Sequence, residues 1–513
     1  MEAGTLRRGG SAPFAQSVAE AVRTRSRTFW IVAGLTTVAA LLRFATLGVQ
    51  SYHHDEVVTA IRILPGSFSH AMNAVGHSES APPLYYALAW LWTQVTGTGE
   101  FGLRSLSALA GVATVPVAYL VGIELRGRRA GLMAAALVAV NPMLLWYSQE
   151  ARAYSLLALF TTTSLLFCIR ARRNGRRRDF TFWGIASGLA LATHYFAFFP
   201  ILAEAVLLLR RRGLRESFAG LWIAVVAALM LAPLAIHQMS IGHAEWIGTF
   251  SLGHRLWETA ATFVTGETGD IIGQPERPAL AFVPLGLCLA AFALLAVRAD
   301  RDERRAAALP LFVGLVAVGI PVALALLSAS KDYVLARNVL PALVPLLVVV
   351  AIATTLSSAR RLGTAIGAVL LAYSLAFCVW VSLSPDLQRP NWDAVAARLG
   401  EPQEPRALVT WTLGEASLRY SLATKAMQVR GADGYPWLVG AIDAISQGPA
   451  PKLSRQLLGP GFREVGHEEA GALFIRRYRV PGPRLEPLRL HQLRHARLNF
   501  RNVGVLVDGV GPG

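Results

Sequence analysis

Cysteine is nearly absent: there are three in 513 residues, Cys168, Cys288 and Cys378, each inside an apolar run. That excludes a disulfide framework and a cysteine-ligated zinc site. Charge is scarce too, at 16% of residues, and acids are outnumbered, with 32 Asp and Glu against 49 Lys and Arg. The net charge of +17 does not describe a nucleic-acid surface. Basic residues interleaved with exposed aromatics are missing, and nucleic acid is therefore not an expected partner. No P-loop and no dinucleotide fingerprint occurs, so no nucleotide cofactor is implied. A secretory signal peptide is not indicated, because the first apolar run is too long and its flanks lack a cleavage pattern. Beyond residue 385 there is no N-x-S/T sequon, which fits a bacterial setting better than a eukaryotic secretory one.

What the chain does have is apolar length. With 54% hydrophobic residues and a mean hydropathy of +0.44, it reads as an integral membrane protein rather than a soluble one. A helix needs about 20 apolar residues to cross the hydrocarbon layer. Eleven segments qualify, near 28–47, 103–124, 130–148, 154–170, 180–194, 196–210, 217–238, 280–298, 307–328, 336–355 and 362–383. A cytoplasmic N-terminal tail over 1–27, with Arg7, Arg8, Arg23, Arg25 and Arg27, puts the clusters Arg126/Arg128/Arg129, Arg170 to Arg178, Arg210 to Arg215, Arg298 to Arg305 and Arg360/Arg361 on the same side. The alternate loops are poor in basic residues, as the positive-inside rule requires. Residues 82–97, PPLYYALAWLWTQVTG, are apolar but would reverse that parity as a crossing, so they read as an interfacial or re-entrant helix.

The expected fold is thus an all-α polytopic membrane domain over 28–384, with a first outer loop at 48–101. A small mixed α/β extracytoplasmic domain follows at 385–480, where RALVTWT, SLRYSLAT and ALFIRRYRV are short apolar runs separated by Gly and Pro. A Pro-, Arg- and His-rich tail at 481–513, expected to be partly disordered, ends the chain. Trp392 and Trp411 are expected in the core of the α/β domain rather than on a sugar.

The chemistry-bearing residues gather on the outer side. SYHHDEVVTA carries His53, His54, Asp55 and Glu56. Two solvated acids, with Asp55 capping the helix EVVTAIRIL, are one reading; a general base taking a proton from an attacking hydroxyl is the other. Parity puts on the same side Arg104 in EFGLRSLSALAG, then Gln149, Glu150, Arg152 and Tyr154 in WYSQEARAYSLL, then His194 and Tyr195, and Lys331, Tyr333 and Arg337 in KDYVLARNVLP. These cations are single and accompanied by aromatics. Such arginines suit a phosphate, through paired charge-assisted hydrogen bonds; snorkelling or ion pairs such as Glu150–Arg152 or Arg104–Asp55 are the alternatives. A divalent metal is a further use of the acids, with Asp55, Glu56, His53 and His54 as oxygen and nitrogen donors.

The early DE pair, PPLYY, FGLR, and QEARAY with its later outer arginine resemble, as an ordered set over residues 30 to 360, the membrane glycosyltransferases of the GT-C fold. The likeness is to the dolichyl-phosphate-mannose-protein mannosyltransferase-like group, glycosyltransferase family 39, and its aminoarabinose-transferase relatives. The resemblance implies a sugar donor on a polyprenyl phosphate and an acceptor hydroxyl on a glycan, lipid or protein. It implies Asp55 as base with Glu56 supporting it, and Arg104 at the donor phosphate; the positive charge wanted at a leaving phosphate adds Arg152 and then Arg337 as candidates. His54, Glu150, Tyr154, His194, Tyr195 and Lys331 are further pocket candidates. One departure is Ala81, where relatives carry His or Lys before the Pro of PPL; His77 is the substitute at hand. The rival expectations are a flippase for the same lipid-linked sugar, and a non-catalytic scaffold.

Overall fold

The computed structural model describes residues 11–242, 245–267, 278–328, 332–432, 437–447, 453–495, 497–498 and 501–508. Each of the eleven expected segments coincides at least in part with helix, although 336–355 holds only the 11-residue α-helix Leu343–Ala353 after a turn and a short 3-10 stretch. Among the described residues, seven helices are by length and composition long and apolar enough to cross a membrane, or eight if one bent pair counts as a single span. The bent pair is Arg128–Val140 with Pro142–Ser148, at 55°, inside what the sequence presents as one run. The bend has a local cause. Pro142 has no N–H to continue the first helix and opens the second, where the Asn141 side chain accepts from the Leu144 N–H at 3.0 Å. A second break lies at Gly213, whose φ of 77° interrupts helix Phe198–Ile241 between the expected segments 196–210 and 217–238.

The helix Leu84–Thr96, within PPLYYALAWLWTQVTG, has 13 residues. At about 1.5 Å per residue it is too short to cross the hydrocarbon layer, in keeping with an interfacial role. Elsewhere helices approach closely: a Cβ on Gly122 would lie 2.6 Å from the Gly131 Cα, so neither position admits a side chain where helices Glu100–Arg126 and Arg128–Val140 pack. At the arginine-rich end the helices are tied by Arg126 to Glu303 at 3.0 Å, Glu303 to the Ser357 N–H at 2.9 Å, Arg170 to Glu124 at 2.8 Å, and Arg212 to the Arg172 carbonyl at 3.0 Å.

The C-terminal α/β domain is built on a mixed sheet. Strand Arg406–Trp411 pairs parallel with Ala441–Gln447 and antiparallel with Arg501–Asp508. Leu473–Arg479 and then Arg463–Ala470 extend one side, and Val429–Gly431 closes the other. The strand Arg501–Asp508 corrects the expected domain boundary at 480: part of the supposed tail runs between two strands of this sheet. Its RNVGVLVD alternation is a strand pattern, masked by the Pro, Arg and His around it. Trp392 and Trp411 are buried with ring centroids 4.9 Å apart, in the core beside Leu408, Leu418 and Ile445.

Candidate active site

The DE pair opens a short helix, His54–Val58, continued by a wider turn over Thr59–Ile63 in which the Leu64 N–H reaches the Thr59 carbonyl at 3.1 Å. The N-cap is His53, and Asp55 stands inside the first turn rather than capping it. Wider turns of this kind recur at functional sites. Successive residues on a helix point about 100° apart, and this separates the two acids completely.

Glu56 faces inward and is fully buried. Its Oε1 accepts from Arg104 Nε at 2.7 Å and from the Ala151 N–H at 2.8 Å; its Oε2 accepts from Arg104 Nη2 at 2.7 Å and from the His53 N–H at 2.9 Å. Burial pushes this carboxyl up, but Arg104 foremost, then Arg389 and the Ala151 N–H, outweigh it and hold the pKa near 2. The other three Arg104 donors go to the carbonyls of Leu47 at 3.0 Å, Gln50 at 2.7 Å and Ser51 at 2.9 Å. All five guanidinium hydrogens are therefore engaged. Arg104 has no donor left for a phosphate, and its partner is Glu56, not Asp55.

Asp55 faces the other way, with a quarter of its side chain exposed. Its Oδ2 accepts from Arg337 Nη1 at 3.4 Å, and its Oδ1 lies 3.5 Å from His54 Nε2. Burial pushes the carboxyl up, but the charges of His54, Arg152, Arg337 and His53 together hold it well below the usual carboxylate range. Among the described residues, Asp55 is the only hydrogen-bond partner of Arg337, whose guanidinium otherwise sits 5.7 Å over the Trp246 ring. The strap that carries Arg337 is anchored by Asp332, which receives both Nη atoms of Arg255, one at 2.8 Å.

Arg152 is gripped by Glu79 through two hydrogen bonds, at 2.9 and 2.8 Å, and lies over the Tyr86 ring. Its charge nonetheless reaches Asp55. Glu150 pairs with Arg389 at 2.9 Å, not with Arg152. Tyr154 lies between Tyr147, with centroids 4.5 Å apart, and His194, at 5.8 Å, both in tilted contacts; the Tyr147 hydroxyl donates to Glu267. This aromatic row lies within electrostatic reach of Arg337. Tyr195 instead donates to Gln238 at 2.8 Å, and Gln238 in turn donates to the Val75 and Ala81 carbonyls. His77 stands beside His237, with centroids 5.5 Å apart. Lys331 lies outside the described residues.

The sequence reading missed Glu79, Trp246, Glu267 and Arg389. Of these, Arg389 carried the signal used for the others: QRPNW is a single arginine beside an aromatic at a helix end. A narrow cavity of about 30 Å³ backs onto Arg104, lined by Gln50, Trp146, Gln149, Gln388 and Arg389 among others; Asp55 does not line it.

A metal would find one ligand atom each from His53, His54 and Asp55, all within 4.8 Å of one another, with the imidazole centroids 3.7 Å apart and the rings tilted by 50°. Glu56 drops out, because both its oxygens already accept two hydrogen bonds. Two nitrogens and one oxygen suit an ion of the zinc type better than magnesium or calcium, which prefer oxygen. A bound ion would take the Asp55 oxygen that a proton needs. With Asp55 as proton acceptor, treatment with EDTA is expected to leave turnover within about twofold of the untreated protein; loss of activity with recovery on adding Zn²⁺ would make Asp55 a ligand.

The fold defines a polytopic membrane protein, with a carboxylate–guanidinium cluster beside its first span. Residues 80–237 match the family model of dolichyl-phosphate-mannose-protein mannosyltransferases, a stretch that includes PPLYY, FGLR, QEARAY and His194 but ends before Arg337 and begins after Asp55. The chain thus resembles the GT-C glycosyltransferases, as its motifs suggest. No curated protein sequence matches it. Among solved structures it is similar to ArnT from Cupriavidus metallidurans bound to undecaprenyl phosphate, at 13% identity over 88% of this chain and 98% of that one, with a TM-score of 0.49. It is similar as well to the archaeal oligosaccharyltransferase AglB from Archaeoglobus fulgidus in complex with an inhibitory peptide and a dolichol-phosphate (14%, 78% and 60%, TM-score 0.43). A third is the S. cerevisiae protein O-mannosyltransferase Pmt1–Pmt2 complex bound to the sugar donor (19%, 42% and 34%, TM-score 0.34).

Proposed function

We propose that this protein is an inverting membrane glycosyltransferase that moves a sugar, mannose or a similar one, from a polyprenyl-phosphate donor to an acceptor hydroxyl. The reaction takes place at the outer face of a bacterial cell membrane, with the N-terminus cytoplasmic and the C-terminal domain extracytoplasmic. The positive-inside parity supports that orientation. The observation that carries the reading is the pairing of Asp55, a partly exposed carboxylate, with Arg337, a guanidinium holding only one long hydrogen bond among the described residues.

The acceptor oxygen attacks the anomeric carbon as its proton passes to Asp55; the bond from that carbon to the phosphate oxygen breaks, and polyprenyl phosphate leaves from the opposite face. Arg337, with Arg152 behind it, stabilises the charge that builds on the leaving phosphate. This reverses the order expected from sequence, in which Arg104 came first: Arg104 becomes the support for Glu56. Cations hold the pKa of Asp55 low, which makes it a weak base. A phosphate drawing Arg337 and Arg152 to itself weakens that hold and raises the basicity of Asp55 when the donor is in place.

Arg337→Ala is expected to lower kcat/KM for the lipid-linked donor about 100-fold, the usual cost of losing one transition-state donor. Arg337→Lys is expected to recover part of this, since lysine keeps the charge but not the fork. Donor kinetics equal to wild type in Arg337→Ala would remove it from the phosphate site.

A further inference from the structure

We propose that Arg389 is a positioning residue for the transfer site: from the junction between the last membrane helix and the α/β domain, it fixes the turn at 149–152 and thereby sets Glu56 and Arg152. The consequence for turnover rests on the transferase reading above; the structural part does not. Arg389 is buried. Its Nη2 donates to Glu150 Oε2 at 2.9 Å and the Trp146 carbonyl at 3.1 Å, its Nη1 to the Gln149 carbonyl at 3.3 Å, and its plane lies 4.1 Å from the Trp146 ring centroid. A linker that merely joined two domains would have no need to bury a guanidinium, which costs several kcal/mol unless fully paired.

The residues that follow Glu150 are the ones the site uses. The Ala151 N–H donates to Glu56 Oε1, and the Arg152 N–H closes the turn onto the Glu150 carbonyl at 2.8 Å. The neighbours of Arg389 grip the other segment of the site: Ser51 Oγ donates to the Pro390 carbonyl at 3.3 Å and accepts from the Trp392 N–H at 2.7 Å, while the Ser51 carbonyl accepts from Arg104. Beyond them, Tyr420 of helix Thr412–Ala423 packs on Tyr52, with centroids 5.5 Å apart. The α/β domain is in this way joined to both segments that hold Glu56. Glu150 acts through its hold on Arg389 and does not touch the reacting atoms.

The test uses the full-length protein in lipid nanodiscs, with steady-state kinetics on labelled polyprenyl-phosphate sugar and amide hydrogen exchange across 149–152. Arg389→Ala is expected to lower kcat about 100-fold, the scale of a small misplacement of a positioned group, and to speed exchange at Ala151. Glu150→Gln, whose amide oxygen still accepts from Arg389 but no longer offsets its charge, is expected to lower kcat and speed exchange at Ala151 together, each by less than Arg389→Ala does; an inactive Glu150→Gln with wild-type exchange at Ala151 would overturn the positioning role by making the carboxylate itself a reactant. Should Arg389→Ala fail to fold, Arg389→Lys decides, since it keeps the charge opposite Glu150 but loses the carbonyl bonds and the stacking, and faster exchange is expected there too. Exchange unchanged in the folded variant, or faster exchange with wild-type kcat, overturns the proposal. If the wild-type protein turns over no lipid-linked sugar, the transferase reading fails, while the exchange measurement still decides whether Arg389 holds the turn.

Discussion

Asp55→Asn is expected to lower transfer from a polyprenyl-phosphate sugar by about 10²- to 10⁴-fold, the range a positioned general base contributes, without loss of membrane expression. The amide keeps the shape of the side chain and an oxygen for Arg337, but it cannot take the acceptor proton. Asp55 is suited to so selective a test because it is a quarter exposed and its tie to Arg337 is long, at 3.4 Å, so the fold does not lean on its charge. Kinetics in nanodiscs, with the amount of folded protein measured by size-exclusion chromatography, separate loss of chemistry from loss of protein. Turnover within a few-fold of wild type would take Asp55 out of the mechanism.

The second large effect is on stability, and it falls on the neighbouring acid. Glu56→Ala leaves the Arg104 guanidinium, the Ala151 N–H and the His53 N–H without their shared acceptor in a buried site. Removing one partner of a buried ion pair costs about 3–5 kcal/mol, so the variant is expected to express poorly and to unfold in detergent well below the wild type. The pH dependence has a definite sign. The folded pKa of Glu56, near 2, lies below the ordinary glutamate value of about 4.3. Its contribution is therefore fully present above that value and is lost as the pH falls towards 2. Thermal unfolding of the two proteins at neutral pH checks the first point; a Glu56→Ala protein as stable as wild type would mean that Arg104 is held by its three carbonyls alone.

These two predictions differ because adjacent acids on one helical turn face opposite ways, and that is also where the sequence stops being legible. A DE pair announces that charge is wanted beside the first span, yet which acid meets which arginine depends on the phase of a five-residue helix whose cap is His53, a poor cap by type. The partners come from 48 residues away for Glu56 and 282 for Asp55, and no local rule assigns them. The spans were readable for the opposite reason: a run of apolar residues matched to the bilayer depends on nothing distant. Even so, Asn141-Pro142 bends a run that hydropathy presents as one segment, although Asn before Pro is a local helix-boundary signal. The same conflict hid Arg501–Asp508, where a strand pattern was outvoted by the composition of the tail around it.

The most direct measurement is to give the purified protein, in nanodiscs, a polyprenyl-phosphate sugar labelled in the sugar, together with candidate hydroxyl acceptors, and to follow the sugar–phosphate bond. Cleavage of that bond, with the label passing to an acceptor or to water and polyprenyl phosphate released, is the predicted result, and it should disappear in Asp55→Asn. Recovery of the lipid-linked sugar intact across a range of sugars, whether moved between leaflets of a vesicle or left where it was, would contradict it.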